Sequence, residues 1–365
     1  MNEADGPLKG IRAEIDDVDR ELVELISRRA RLAQKIAVVK EDQGRTDHYR
    51  PEREAEVLRA LKGRNQGPLP DEHLGDIFRE IISACRALEL SLGVAFLGPE
   101  GTFTEAAAFK HFGHAIRPLP VGSIDGVFRE VESGSCDFGV VPVENSTEGV
   151  VSHTLDMFVT STLSICGEVE LRIHHCLMSV ATPIDKVRKV YSHQQSLAQC
   201  RRWLESNLPN VPSEAVSSNA EAARRAASEP GSAAIAGEVA AGIHGLTLLA
   251  KNVEDDPNNT TRFLVIGNQS VAPTGADKTS VLFTAKNRPG ALYDLLEAFK
   301  RRDISMTRIE SRPSRSGLWQ YVIFVDFEGH AAEPNVARAL EHIEEHASLF
   351  KVLGSYPRTA SWVGG

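Results

Sequence analysis

Between Leu8 and Val39 apolar residues recur at alternating steps of three and four: Leu8, Ile11, Ile15, Val18, Leu22, Leu25, then Leu32, Ile36 and Val39. This spacing predicts a long helix with a buried seam. One rung is charged, because Arg29 stands where the repeat calls for an aliphatic residue. A guanidinium in such a seam is costly unless an anion meets it. Arg29 therefore either pairs with a carboxylate of another helix or helps to clamp a small anionic ligand. At the α-helical rise, residues 7–41 make a rod about 50 Å long, more than one small domain can cover. Further helices are expected over 51–63, opened by Pro51, and from Pro70 to Leu90. So much seam predicts an intertwined homodimer; the alternative is a linker helix packed on its own chain.

Composition narrows the function classes. A chain of 365 residues with 42% hydrophobic content can build two or three packed domains. It contains no uninterrupted apolar stretch of about 18 residues, so no membrane span is expected. Its first residues, MNEADGPLKG, are polar and acidic, unlike a signal peptide, and a cytoplasmic location is expected. Five scattered cysteines without a CxxC pair read as reduced thiols, not as a disulfide frame or zinc site. No metal or other cofactor is expected. A net charge of −9 argues against nucleic acid as a partner.

The pattern changes at Val94. Short apolar strands are expected at 94–98, 138–145, 189–193, 232–237 and 263–267, separated by helices, as in a layered α/β domain with parallel strands. Polar residues cluster near the strand ends, where such sheets bind ligands. Beyond the Pro- and Gly-containing stretch 271–277, strands at 279–285, 304–311, 319–327 and 350–354 and helices at 291–301 and 335–347 give the order βαββαβ, a ferredoxin-like α+β unit. The boundaries expected are 1–92, 93–271 and 278–363.

In the helical region a second stripe, Phe78, Ile82, Cys85, Glu89 and Leu92, carries its own charged intruder, Glu89. Desolvation drives such a carboxyl toward its neutral, hydrogen-bond-donating form. An Arg and a Glu on two apolar stripes, with no nucleophile or Gly-rich phosphate loop, suit a reaction needing only restraint and electrostatics. Together with Arg12, Lys40 and the run Tyr49-Arg50-Pro51-Glu52-Arg53-Glu54, this arrangement resembles the all-helical chorismate mutases. The resemblance implies that Arg12 and Arg29 clamp the carboxylates of chorismate, Arg12 acting across the dimer. It implies that Lys40 and Glu89 bond the ether oxygen, and that Arg53 and Glu54 make secondary contacts, Glu54 to a hydroxyl. Arg50 and Cys85 depart from the Asp and Ser common in that family. Where the family has Gln, Glu89 must be protonated to donate, so mutase activity is expected to fall as pH rises.

Four motifs of the middle region resemble prephenate dehydratase: Gly98-Pro99-Glu100-Gly101-Thr102-Phe103-Thr104, the run Val143 to Gly149, the run Tyr191 to Cys200, and Asn259-Thr260-Thr261-Arg262-Phe263. The resemblance implies a two-lobed fold like the periplasmic-type binding proteins, with the chain crossing between lobes twice. It also implies that Thr261 supplies the catalytic hydroxyl and that Asn145, Ser192, Gln199 and Arg262 position prephenate. Glu144 is a candidate proton source, and the 98–104 loop offers free amides to a carboxylate. The pair His174-His175 is read as structural, adjacent strand residues pointing to opposite faces.

The segments Asn287-Arg288-Pro289-Gly290-Ala291-Leu292 and Glu310-Ser311-Arg312-Pro313 resemble the ACT domain that follows these dehydratases. This implies a regulatory L-phenylalanine site between paired ACT domains, formed by Gly290, Ala291, Leu292, Glu310, Ser311, Arg312 and Pro313. The leading reading is thus a bifunctional enzyme of L-phenylalanine biosynthesis. It would turn chorismate into prephenate, and prephenate into phenylpyruvate, under feedback by L-Phe. A regulator with DNA-binding N-terminal helices is the alternative, opposed by the acidic charge. A non-catalytic solute sensor is a third, opposed by Thr261-Arg262-Phe263.

Overall fold

The computed structural model describes residues 5–44, 49–180, 183–286, 288–313 and 321–358. Asn287 and residues 319–320 of the expected strand 319–327 lie outside them. The chain opens with three helices: α1 (Asp5–Asp42), α2 (Pro51–Lys62) and α3 (Asp71–Ala87). Pro51 occupies the first turn of α2, where its missing amide hydrogen costs nothing. Along α1 the seam residues stay about half exposed, with Ile15 at 53% and Leu22 at 49%.

The α/β portion begins with β1 (Gly93–Leu97), α4 (Phe103–Phe112), β2 (Arg117–Val121), α5 (Ile124–Glu132), β3 (Phe138–Asn145), β4 (Gly149–Val150), α6 (Ser152–Thr160) and β5 (Ser164–Arg172). A second lobe follows, with β6 (Cys176–Ser179), β7 (Lys189–His193), α7 (Gln194–Gln199), α8 (Arg201–Asn207), β8 (Ser213–Val216), α9 (Asn219–Ser228), β9 (Ser232–Ala236), α10 (Glu238–His244) and β10 (Thr247–Ala250). The chain then returns to the first lobe through β11 (Thr260–Gly267). Serines cap helices in both lobes: Ser123 Oγ accepts from the Gly126 amide and Ser218 Oγ from that of Glu221.

Both sheets are mixed, where the strand pattern predicted parallel ones. The first runs β2-β1-β3-β11-β5 with β4 beside β3; the second runs β10-β6-β9-β7-β8. Strand β11 is antiparallel to both neighbours, because it returns from the other lobe rather than from a crossover helix. Its register sets Thr261 opposite Asn145 and Arg262 opposite Glu144. The two crossings between lobes lie side by side, with the Ile173 amide bonded to the Asn259 carbonyl at 2.8 Å and the Val253 amide to that of His175 at 2.9 Å. They form a two-stranded hinge.

The C-terminal portion comprises β12 (Asp277–Thr284), α11 (Ala291–Lys300), β13 (Met306–Pro313), β14 (Tyr321–Glu328), α12 (Pro334–His346) and β15 (Leu349–Pro357). Its antiparallel sheet has the order β13-β14-β12-β15, the ferredoxin-like arrangement. The helices cover one face, where Phe283, Leu295, Phe299, Phe327 and Ile343 form a core. From the other face Leu282, Phe324, Leu353 and Tyr356 join one apolar cluster with Val141, Val143, Leu155 and Leu264 of the first lobe.

Candidate active sites

Arg29, on α1, is half-buried, and its Nη1 reaches the Ile81 carbonyl of α3 at a long 3.4 Å. It has no carboxylate partner among the described residues. Lys40 and Glu89 meet directly: Nζ donates to Oε1 at 3.3 Å, and both side chains are largely buried. Glu89 is not on the helix that the stripe predicted, since α3 stops at Ala87 and Glu89 sits in the turn beyond. Arg12 is exposed on α1, among the exposed apolar residues Leu8, Ile11 and Ile15. On α2, Arg53 pairs with Glu56 at 2.9 Å, and Glu54 is half-buried. Chemically, the helices offer separated cations and a Lys–Glu pair on a largely apolar background.

In the α/β portion, strand register brings two expected residues together. Asn145 Nδ2 donates to Thr261 Oγ1 at 2.8 Å, and the Asn145 Oδ1 accepts from the amides of Thr147 and Glu148, both at 3.0 Å. The same Nδ2 donates to Asn259 Oδ1 at 2.8 Å, and Asn259 Nδ2 donates to Gln199 Oε1 at 3.1 Å. Thr261, Asn145 and Gln199 therefore belong to one polar chain, linked by the buried Asn259. Sequence reasoning left Asn259 outside the site, although it opens the fourth motif. His175 ends the chain, its Nε2 lying 2.9 Å from Gln199 Oε1. His174 and His175 lie in the hinge, not in a strand; His174 Nδ1 turns instead to Glu254 at 2.7 Å. Burial pushes the His175 pKa down, against the opposing pull of Gln199 and Glu254, so its ring is neutral near pH 7.

Other expected contacts are spent elsewhere. Ser192 is fully buried, and its hydroxyl donates to the Ile235 carbonyl at 2.7 Å, with Asn219 Oδ1 at 3.0 Å. It tethers β7 to β9. The Gly101 amide is not free for a ligand, because Glu105 Oε2 takes it at 2.6 Å. Burial raises the pKa of that carboxyl more than the Gly101 bond lowers it.

Arg262 departs furthest from expectation. A β-strand alternates faces, so the side chain after Thr261 leaves on the opposite side of the sheet. There Nε meets Glu168 of β5 at 2.9 Å, Nη1 meets Asp326 of β14 at 2.6 Å, and Nη2 donates to the Tyr356 hydroxyl at 3.0 Å. Exposure of the three charged side chains is 12% for Arg262, 2% for Glu168 and 7% for Asp326. Lys278 adds a second cation to Glu168 at 2.7 Å. Burial pushes the Asp326 pKa up, but the Arg262 guanidinium and the Ser280 hydroxyl outweigh it and hold the carboxyl below its usual range. Glu144 shares this face, its carboxylate 2.9 Å from Arg308 Nε of β13.

The expected regulatory residues occupy two elements. Gly290 caps α11 with φ +77°, a left-handed conformation that favours glycine, and Ala291 and Leu292 open the helix. Glu310, Ser311, Arg312 and Pro313 lie on β13, an edge strand. Arg312 Nη2 lies 3.3 Å from Asp156 of α6.

Comparison with known proteins converges on one family. The prephenate dehydratase family model matches residues 94–271, the type II chorismate mutase model residues 11–90, and the ACT domain model residues 279–345. A bifunctional chorismate mutase/prephenate dehydratase of Pseudomonas aeruginosa is 56% identical over 96% of this chain and 98% of its own length. The enzyme of the same description from Stutzerimonas stutzeri is 54% identical over 98% of this chain and 99% of its own. Among solved structures, a prephenate dehydratase from Arthrobacter aurescens in complex with L-Phe is 34% identical, with a TM-score of 0.69, over 74% of this chain and 91% of its own. These likenesses leave the regulator reading without support. The chain carries a chorismate mutase, a prephenate dehydratase and an ACT domain, and belongs to the bifunctional chorismate mutase/prephenate dehydratase family.

Proposed function

We propose that the dehydratase reaction is centred on the Thr261 hydroxyl and the mutase reaction on Arg29, Lys40 and Glu89. The 2.8 Å bond from Asn145 Nδ2 to Thr261 Oγ1 carries the first assignment. Asn145 fills a lone pair of the hydroxyl oxygen and leaves its hydrogen for a substrate. In prephenate the bond from C1 to the carboxylate breaks, its electron pair enters the ring, and the C4 hydroxyl departs. Aromatisation drives the sum, so the protein must hold the carboxylates and stabilise the leaving oxygen. An aliphatic alcohol is a weak acid but an effective donor, and Thr261 assists departure through a hydrogen bond that strengthens as charge builds on that oxygen. Gln199 supplies a second donor. Arg262, Glu144 and Ser192 support the scaffold instead of touching prephenate.

Chorismate is a dianion, and among the described residues Arg29 has no carboxylate partner to compete for its charge. Arg12 supplies the second clamp from a second copy of the chain, which would also cover the exposed seam of α1 in a homodimer. Lys40 faces the breaking ether bond, with Glu89 beside it. We place the enzyme in the cytoplasm. L-Phe acts as feedback inhibitor at residues 290–292 and 310–313, where a second ACT domain meets the β13 edge. It must bind the inhibited arrangement more tightly than the active one. The route to Thr261 is electrostatic and runs through Arg312–Asp156, Arg308–Glu144 and Asp326–Arg262.

The decisive assay measures chorismate and prephenate turnover separately. Arg29→Ala should lose the first by about 1,000-fold and keep the second; Thr261→Ala should do the reverse, by about 100-fold or more. Loss of both activities in either variant would remove the assignment of independent sites.

A further inference from the structure

We propose that Asn259 and His175, one in each crossing segment of the hinge, are positioning residues. They fix the direction of the hydrogen-bond chain so that the Thr261 hydroxyl hydrogen and the Gln199 amide hydrogens remain available to prephenate. The inference rests on the reading of Thr261 as the reacting hydroxyl's partner.

The polarity follows link by link. Two backbone amides point at Asn145 Oδ1, so that atom is the carbonyl oxygen and the other end of the side chain is the NH2 group. Its two hydrogens go to Thr261 Oγ1 and Asn259 Oδ1. The Asn259 oxygen is thereby an acceptor, so its nitrogen faces Gln199. Gln199 then presents its oxygen to two donors, Asn259 Nδ2 and His175 Nε2. His175 must carry its hydrogen on Nε2. Its Nδ1, buried and without a hydrogen-bond partner among the described residues, is the bare nitrogen of a neutral ring.

Every link is an acceptor filled from one side, and reversing any amide would set two donors or two acceptors face to face. Two donor groups make no hydrogen bond among the described residues: the Thr261 hydroxyl and the Gln199 side-chain nitrogen. They belong to different lobes, Thr261 on β11 and Gln199 at the end of α7, and Asn259 lies between them in the hinge. Its own placement is rigid, because it is 1% exposed and its carbonyl is bonded to the Ile173 amide. A side chain that only satisfied its own burial would not need a fixed donor end and acceptor end matched to both lobes.

The test uses the full chain, with kcat and KM for prephenate and a thermal melt. Asn259→Asp keeps size and the Oδ1 acceptor but replaces the donor facing Gln199 with oxygen. It should cut dehydratase kcat by about tenfold to 100-fold with a folded melt. In the double variant with Gln199→Ala the Asn259 substitution should add nothing, because both act on the Gln199 amide. Losses that multiply, or full kcat in Asn259→Asp while Thr261→Ala is inactive, would overturn the inference and leave Thr261 in place. Full activity in Thr261→Ala would instead overturn the reading beneath it. His175→Gln, whose amide can donate as Nε2 does, should recover most of the kcat lost in His175→Ala; equal loss in both overturns the part given to His175.

Discussion

Arg29 and Arg262 looked alike in the sequence, each an arginine expected to meet a substrate carboxylate, and the structure treats them in opposite ways. Arg262 is surrounded by Glu168, Asp326 and the Tyr356 hydroxyl and is almost sealed from water. Arg29 sits in an apolar seam, where its one bond among the described residues is a long one to a backbone carbonyl. A guanidinium whose charge is balanced by the fold is a structural element. One without such balance among the described residues fits the proposed role of holding a substrate anion. The number of carboxylates in reach, not the motif that contains the arginine, separates the two.

Melting curves press hardest on this contrast. Arg262→Ala leaves buried Asp326 without its guanidinium and Glu168 with Lys278 alone, and should cost about 3–5 kcal/mol of stability. Arg29→Ala should change stability by only about 0.5 kcal/mol. If Arg29→Ala melts as early as Arg262→Ala, the charge of Arg29 is structural and the distinction collapses.

Asp326→Asn gives a smaller and more selective disturbance. Its carboxyl is held below the unfolded value, so its contribution to stability is fully present above that value and is lost as pH falls through the folded one. The variant should therefore lose about 1–3 kcal/mol at pH 7, with the gap from wild type narrowing below about pH 4. It should also weaken inhibition by L-Phe while prephenate turnover persists. An unchanged L-Phe dose–response would take Asp326 out of the signalling route.

The mildest effect is expected in the helical region. Glu89→Gln keeps a group that can bond the ether oxygen but removes the negative charge beside Lys40. Its kcat/KM for chorismate should stay within about tenfold of wild type. A loss as large as that of Arg29→Ala would make the carboxylate itself indispensable and overturn this reading of Glu89.

The βαββαβ unit was legible in outline, because each of its elements is amphipathic and bounded by turn residues. The long helix was equally plain from its spacing. Strand β2 was not, since Arg117-Pro118-Leu119-Pro120 carries two prolines and stays exposed as an edge of the sheet. The antiparallel setting of β11 depends on a return from the second lobe, which no local pattern encodes. Arg262 is a different case, for its fate was readable. Side chains alternate along a strand, so Thr261 and Arg262 cannot both face the same ligand, nor can Glu144 and Asn145. The partner on the far side was hidden, because Glu168 lies on a strand that went unrecognised and Asp326 lies about 60 residues downstream, in another domain.

The apolar cluster that Leu282, Phe324, Leu353 and Tyr356 share with the first lobe bears on how such a protein can arise. At Gly354, with φ +156°, even one added carbon would fall 2.2 Å from the Ile165 carbonyl oxygen. A regulatory module that owns part of its neighbour's interior is not a detachable cassette. Joining a foreign sensor at residue 271 would leave an oily face uncovered, so domain exchange among such enzymes has to carry the matching surface of the catalytic lobe with it.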